Sequence, residues 1–138
     1  MFNLTLRSSA LASLVCVFVF NSGHCLGDDV ASKASLSDGV YNKSQAKLGK
    51  KLYKKHCISC HEKGYFEPVL LTWQGQPAAA LFSLMSAGMP ESEPGSLAAE
   101  EYTDIFAYVL KESGYPASAD ALDPNSEEFA NIIIMPPR

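Results

Sequence analysis

Two thiols three positions apart, followed at once by an imidazole, form the densest chemistry in this chain: Cys57-Ile58-Ser59-Cys60-His61. C-x-x-C-H is the attachment pattern for a c-type haem. The spacing has a chemical reason. Each thiol reaches one vinyl group and forms a thioether, and the next residue places an imidazole nitrogen under the ring to ligate the iron. A thioredoxin-like redox pair would sit in a βαβ pattern, and the sequence shows none. A zinc site would need a second ligand pair, and the chain holds no further Cys-x-x-Cys and no His-x-x-His.

An iron held by His61 on one side needs a ligand on the other. Met89 lies in Gly88-Met89-Pro90, where glycine ends one helical stretch and proline prevents another from starting. The methionine is therefore on an irregular segment able to aim its sulfur inward, and it ranks first. Met85 is one turn earlier on a helical face, where a methionine more often packs. Met135 lies near the terminus between Ile134 and Pro136. His56 immediately precedes the thiols, on the stretch that carries the proximal ligand, so it does not easily reach the opposite face. That argues against bis-histidine ligation and removes the obvious distal acid–base group of a haem peroxidase.

The elements that must position these groups can be read outward from them. Arg7 is the only charge before a mostly apolar run from Ala10 to Phe20, with small and polar residues and Asp28-Asp29 after it. Residues 1–27 read as a cleavable secretory signal peptide, processed loosely between Gly23 and Asp28. The apolar run is well short of the roughly 20 residues that span a bilayer, so no stable membrane span is expected. His24 stands where a lipidated Cys25 would want a small residue. Cys16 and Cys25 leave with the signal, both remaining cysteines are assigned to haem, and no structural disulfide is expected. Export to the periplasm suits a haem that is attached outside the cytoplasm.

Without the signal, about 110 residues remain, one small domain with a limited core of its own. Loss of Arg7 moves the formal charge from −4 to −5. Lysines crowd the first half and carboxylates the second, and no nucleic-acid partner is expected. Residues 28–43 are small and polar without sustained period and read as a flexible leader, with the domain at 44–138. Ser44 is a plausible N-cap for a helix to about His56. Six lysines from 43 to 55 fall within an arc of about 140° at helical periodicity. Ala46, Leu48, Gly49, Leu52 and Tyr53 lie opposite, and Gly49 would let another helix cross at close range. A second helix is expected from about Pro77 to Ser86. A third starts after a candidate cap at Ser96, with Glu100 and Glu101 near the positive end of its dipole. Ala98, Tyr102, Ile105, Phe106 and Val109 share one face of it, and Gly114-Tyr115-Pro116 ends it. The tail carries Phe129 and Ile132-Ile133-Ile134, too apolar to leave in water, and is expected to lie back over the domain. The fold class is all-α: about three main helices around one covalent haem, with an irregular C-terminal tail.

The haem motif, Pro68 downstream and Met89-Pro90 before a final amphipathic helix resemble a class I c-type cytochrome. The run Met89-Pro90-Glu91-Ser92-Glu93-Pro94-Gly95-Ser96-Leu97, with Tyr102, Ala107-Tyr108-Val109-Leu110 and Gly114-Tyr115-Pro116, is similar to the cytochrome c domains associated with bacterial quinoprotein alcohol dehydrogenases. The likeness covers roughly residues 44 to 135. It implies that the first and last helices cross near Gly49 and an aromatic such as Tyr108 or Tyr102. It implies that the Pro68 carbonyl accepts a hydrogen bond from the far nitrogen of His61, fixing the ring. It offers Trp73 as a haem-propionate partner, with a core aromatic as the equal alternative. Glu62 departs from the small residue usual after the motif.

A His61/Met89 pair fills both axial positions of the iron, which describes a one-electron carrier rather than an enzyme. Its expected donor is a dehydrogenase, of the quinoprotein alcohol dehydrogenase kind on the resemblance, and its acceptor an oxidase or another cytochrome. Lys47, Lys50, Lys51, Lys54 and Lys55 are either a docking stripe or a solvated helix face. Two other readings stay open: a haem-based ligand-binding sensor with a labile Met89 bond, and a fixed subunit of a dehydrogenase complex.

Overall fold

The computed structural model describes residues 35–138, which contain five α-helices, one short 3-10 turn and no strand. The expected signal peptide, Cys16, Cys25 and the first part of the expected leader lie outside the described residues. None of the described helices is long and apolar enough to cross a membrane.

Helix α1 (Lys43–His56) starts one residue before Ser44, because Asn42 is the cap. The Asn42 side-chain oxygen accepts the Gln45 backbone N–H at 3.0 Å, and the Gln45 side chain accepts the Asn42 N–H at 3.3 Å. This reciprocal pair satisfies two otherwise orphaned donors. The lysines at 43, 47, 50, 51, 54 and 55 are all exposed, while Ala46, Gly49 and Tyr53 are buried. Leu48 departs from expectation and stands 48% exposed.

Helix α2 (Phe66–Thr72) was not foreseen. Pro68 discourages a helical reading, yet it occupies the first turn, where the missing N–H would have no helical partner anyway. Helix α3 (Ala78–Gly88) opens after Pro77 and runs two residues beyond the expected end. Helix α4 (Ala99–Glu112) is capped at Ala98 rather than Ser96. Alanine brings no acceptor of its own, so the Glu101 carboxylate reaches back to accept the Ala98 N–H at 3.0 Å. A last, turn-length helix, α5 (Glu127–Ala130), sits in the tail.

Helices α1 and α4 form the frame. At Gly49 an added Cβ would lie 1.7 Å from the Asp104 carbonyl oxygen and 2.9 Å from the Ile105 nitrogen, so the two backbones touch there. The crossing is one turn before Tyr108, whose ring packs 5.2 Å from that of Tyr53. On the far side of α4, Phe106 meets Phe82 of α3 and Phe129 of α5 edge-on, at 5.6 and 6.3 Å.

The tail returns over the domain as expected: Phe129, Ile132 and Ile134 are buried. Its backbone is bonded to the start of α3 and the loop before it, with Ala78 N–H to Ile132 O at 2.8 Å and Gly75 N–H to Ile134 O at 2.9 Å. The expected flexible leader is corrected over residues 35–42. Leu36 is fully buried and its N–H bonds Ile133 O at 3.1 Å. Tyr41 is buried too, and its hydroxyl donates to Tyr115 O at 2.8 Å. Small polar residues conceal the role of this segment, since its anchors are Leu36, Val40 and Tyr41, too widely spaced to make a period.

Candidate haem cleft

The haem motif turns directly off the end of α1. The Cys57 and Ile58 N–H groups bond Tyr53 O at 2.9 and 3.0 Å, and those of Cys60 and His61 bond Cys57 O at 3.2 and 2.9 Å. The two thiols are unpaired, Cys57 half-buried and Cys60 exposed. Tyr53, one turn before Cys57, donates its hydroxyl to His61 O at 2.6 Å. Burial, with the neighbouring Cys57 and Tyr108 as lesser causes, pushes the Tyr53 pKa up to about 12, so the phenol stays a donor at neutral pH. The His61 ring is bounded by Tyr65 at 4.3 Å and Phe66 at 5.3 Å.

Another wall of the cleft starts where α3 ends. Met89 is its extended C-cap residue (φ −117°, ψ 153°), with its N–H on Met85 O at 3.0 Å. The loop to α4 folds back on itself through Glu93 N–H to Pro90 O at 3.0 Å and Gly95 N–H to Met89 O at 3.4 Å. Tyr102, buried on α4, donates its hydroxyl to Met89 O and accepts the Leu97 N–H at 3.3 Å. Met89 remains 36% exposed.

Between these walls lies a cleft of about 480 Å³, within the range of about 300–1,000 Å³ that takes a compact organic ligand. Cys57, Cys60, His61 and Met89 all line it, with Phe66, Leu97 and Ile105 as apolar surface. Two thiols, one imidazole and one thioether on the walls of a single cleft fit a covalently held haem. Met85 also lines it, as does His56, whose Nε2 is buried without a partner.

Two sequence-derived assignments are corrected. Pro68 does not line the cleft, and His61 Nδ1 is buried with no hydrogen-bond partner. The physical reason is α2: a carbonyl in the first turn of a helix points along the axis into the helical ladder and not sideways to a ring. Trp73 also lies away from the cleft, at the C-cap of α2, packed partly buried against the core. That placement fits the core-aromatic alternative. Met135 is exposed and absent from the cleft. Of the lysine stripe, Lys55 borders a second, polar recess beside the cleft, together with His56, Ser59, Ser92 and Glu93.

Sequence reasoning missed the hydroxyl roles of Tyr53 and Tyr102. Tyr53 carries a usable signal, standing one helical turn before the first thiol on the buried face. For Tyr102 only its face on α4 was legible.

Residues 44–109 match the family described as cytochrome c oxidase, cbb3-type, subunit III. No curated protein and no solved structure matches the chain. The described residues have the helical build of a small all-α cytochrome c fold. The match spans just under half of the chain, and what it supports there is a class I c-type cytochrome domain, a family with covalent haem c, for which Cys57 and Cys60 have the spacing.

Proposed function

We propose that this protein is an exported, periplasmic one-electron carrier in which His61 and Met89 take the two axial positions of a single haem c held by Cys57 and Cys60. The observation that carries the reading is the convergence of these four side chains on one cleft. Haem bound there supplies a reversible one-electron couple, and a methionine sulfur raises its potential. With His61 and Met89 both holding the iron, no coordination site would be left for a substrate, and the chain would move electrons without making bonds. The donor is a dehydrogenase, with the quinoprotein alcohol dehydrogenase type favoured by the sequence resemblance. The acceptor is an oxidase or another cytochrome, a reading to which the oxidase-subunit description of the matched family lends support. Lys47, Lys50, Lys51, Lys54 and Lys55 form the docking stripe, with Lys55 nearest the cleft. A dissociable shuttle is favoured over a fixed subunit because Phe129, Ile132 and Ile134 are spent on the domain's own core.

The test is the absorption spectrum of the ferric protein. Methionine sulfur on low-spin iron gives a weak far-red band, expected in the wild type and absent from Met89→Ala. A wild type without that band sinks the His61/Met89 reading. Carbon monoxide is expected not to displace Met89 from the ferrous protein, and ready displacement would give the sensor reading the lead.

A further inference from the structure

Both segments that bear the axial ligands are held at the backbone by a buried tyrosine, and the two tyrosines stand on the two helices that cross at Gly49. Tyr53 on α1 donates to the carbonyl of His61 at 2.6 Å. Tyr102 on α4 donates to the carbonyl of Met89 and accepts the Leu97 N–H at 3.3 Å, closing the loop that follows Met89 at both ends. Each tyrosine is about 5% exposed or less, and each lines the cleft. The helices are in backbone contact at Gly49 and Asp104–Ile105, one turn from Tyr53 and less than one from Tyr102.

We infer that Tyr53 and Tyr102 are positioning residues for the two axial ligands, and that the α1–α4 crossing sets the span between those ligands through them. The inference rests on the His61/Met89 ligation proposed above. Met89 is the more dependent of the two. It lies outside regular structure and is partly exposed, whereas His61 is held by the covalent motif and an aromatic surround. Tyr102 therefore governs how often the Met89 segment swings away and uncovers the sixth position. Tyr53 governs the seating of His61 and leaves that opening unchanged.

The test titrates the ferric holoprotein with imidazole, which binds only when Met89 has left. Tyr102→Phe deletes both hydrogen bonds that hold the Met89 loop, and is expected to raise the apparent imidazole affinity about 5- to 150-fold. Tyr53→Phe should stay within about 2-fold of the wild type while shifting the His61 ring resonances in the proton spectrum and leaving the Met89 methyl resonance in place. Tyr41→Phe is the control, because it deletes a buried phenol-to-carbonyl bond of the same kind, Tyr41 to Tyr115, away from the cleft. An unchanged affinity in Tyr102→Phe overturns the inference. So does an equal rise in Tyr41→Phe, which would assign the effect to global stability. If Tyr102→Phe fails to fold, amide exchange in the wild type decides: Leu97 is expected to be protected, and exchange at the free-peptide rate refutes the loop closure. A wild type without the far-red band removes the ligation reading and this inference together. A wild type with the band but with Tyr102→Phe unaltered removes this inference alone.

Discussion

Replacing Gly49 by alanine sets two physical effects against each other with opposite signs. Alanine in a helix interior is favoured over glycine by about 1 kcal/mol, so on an open face the change would stabilise. At Gly49 the new Cβ would sit 1.7 Å from the Asp104 oxygen, 2.3 Å from its carbonyl carbon and 2.9 Å from the Ile105 nitrogen. All three are backbone atoms of α4, so no side chain can rotate away. Restoring ordinary contact at 3.4 Å requires the helices to separate by about 1.7 Å. Overpacking of a core costs about 1–3 kcal/mol, and more where backbone must move. Taking the upper end and subtracting the propensity gain leaves a net loss of about 2 kcal/mol or more. For a domain of about 100 residues that lowers Tm by about 8–16 °C. Thermal and guanidinium melts of the holoprotein measure it, with Gly88→Ala as the contrast. Gly88 is helical, and a methyl group added there would meet no atom within 4 Å, so the substitution should be neutral or stabilising. Gly49→Ala as stable as the wild type would refute the close crossing. The same separation draws Tyr53 and Tyr102 apart, so the far-red band of Gly49→Ala should weaken.

Three further outcomes are expected. Ending the chain at Asn131 removes Ile132 and Ile134, each worth about 1.5–3 kcal/mol of burial, along with the backbone bonds to Gly75 and Ala78. Against a typical total of about 5–15 kcal/mol, circular dichroism should find the truncated domain marginal or unfolded, and an unshifted melt would contradict the docked tail. The second concerns alkaline pH. The folded pKa of Tyr53 is raised from 10.0 to about 12, so the unfolded chain gives up this proton first. Its contribution to stability is complete below about pH 10 and is lost as pH climbs toward 12. Denaturation midpoints should fall through that window less steeply in Tyr53→Phe, and parallel curves would dismiss the buried phenol. Lastly, reversing Lys50 and Lys54 to glutamate should slow electron exchange with hexacyanoferrate at low ionic strength. The difference should vanish near 1 M salt, where the screening length is about 3 Å. Equal rates at low salt would leave the stripe as a solvated face.

What the sequence by itself determined here is what depends on residues close together in the chain. Thioether spacing is a property of five consecutive positions, so Cys57, Cys60 and His61 were legible. That Met89 lies on an irregular segment was legible because Gly88 and Pro90 set its backbone locally. The buried face of α1, the glycine on it and the apolar tail follow from helical period and from the cost of wetting hydrocarbon. Only the tertiary structure decided the rest. Whether Pro68 could serve His61 depended on α2 forming around it, which put its carbonyl in a helix and left His61 Nδ1 without an acceptor. Residues 35–42 were unreadable as core because the partners of Leu36 and Tyr41, Ile133 and Tyr115, lie far along the chain. Tyr53 and Tyr102 could be placed on helix faces, but their hydroxyls find His61 and Met89 only through loops that bend back toward α1 and α4. Periodicity says which face is buried. It does not say which carbonyl a buried phenol will meet, because that is set by where two helices touch.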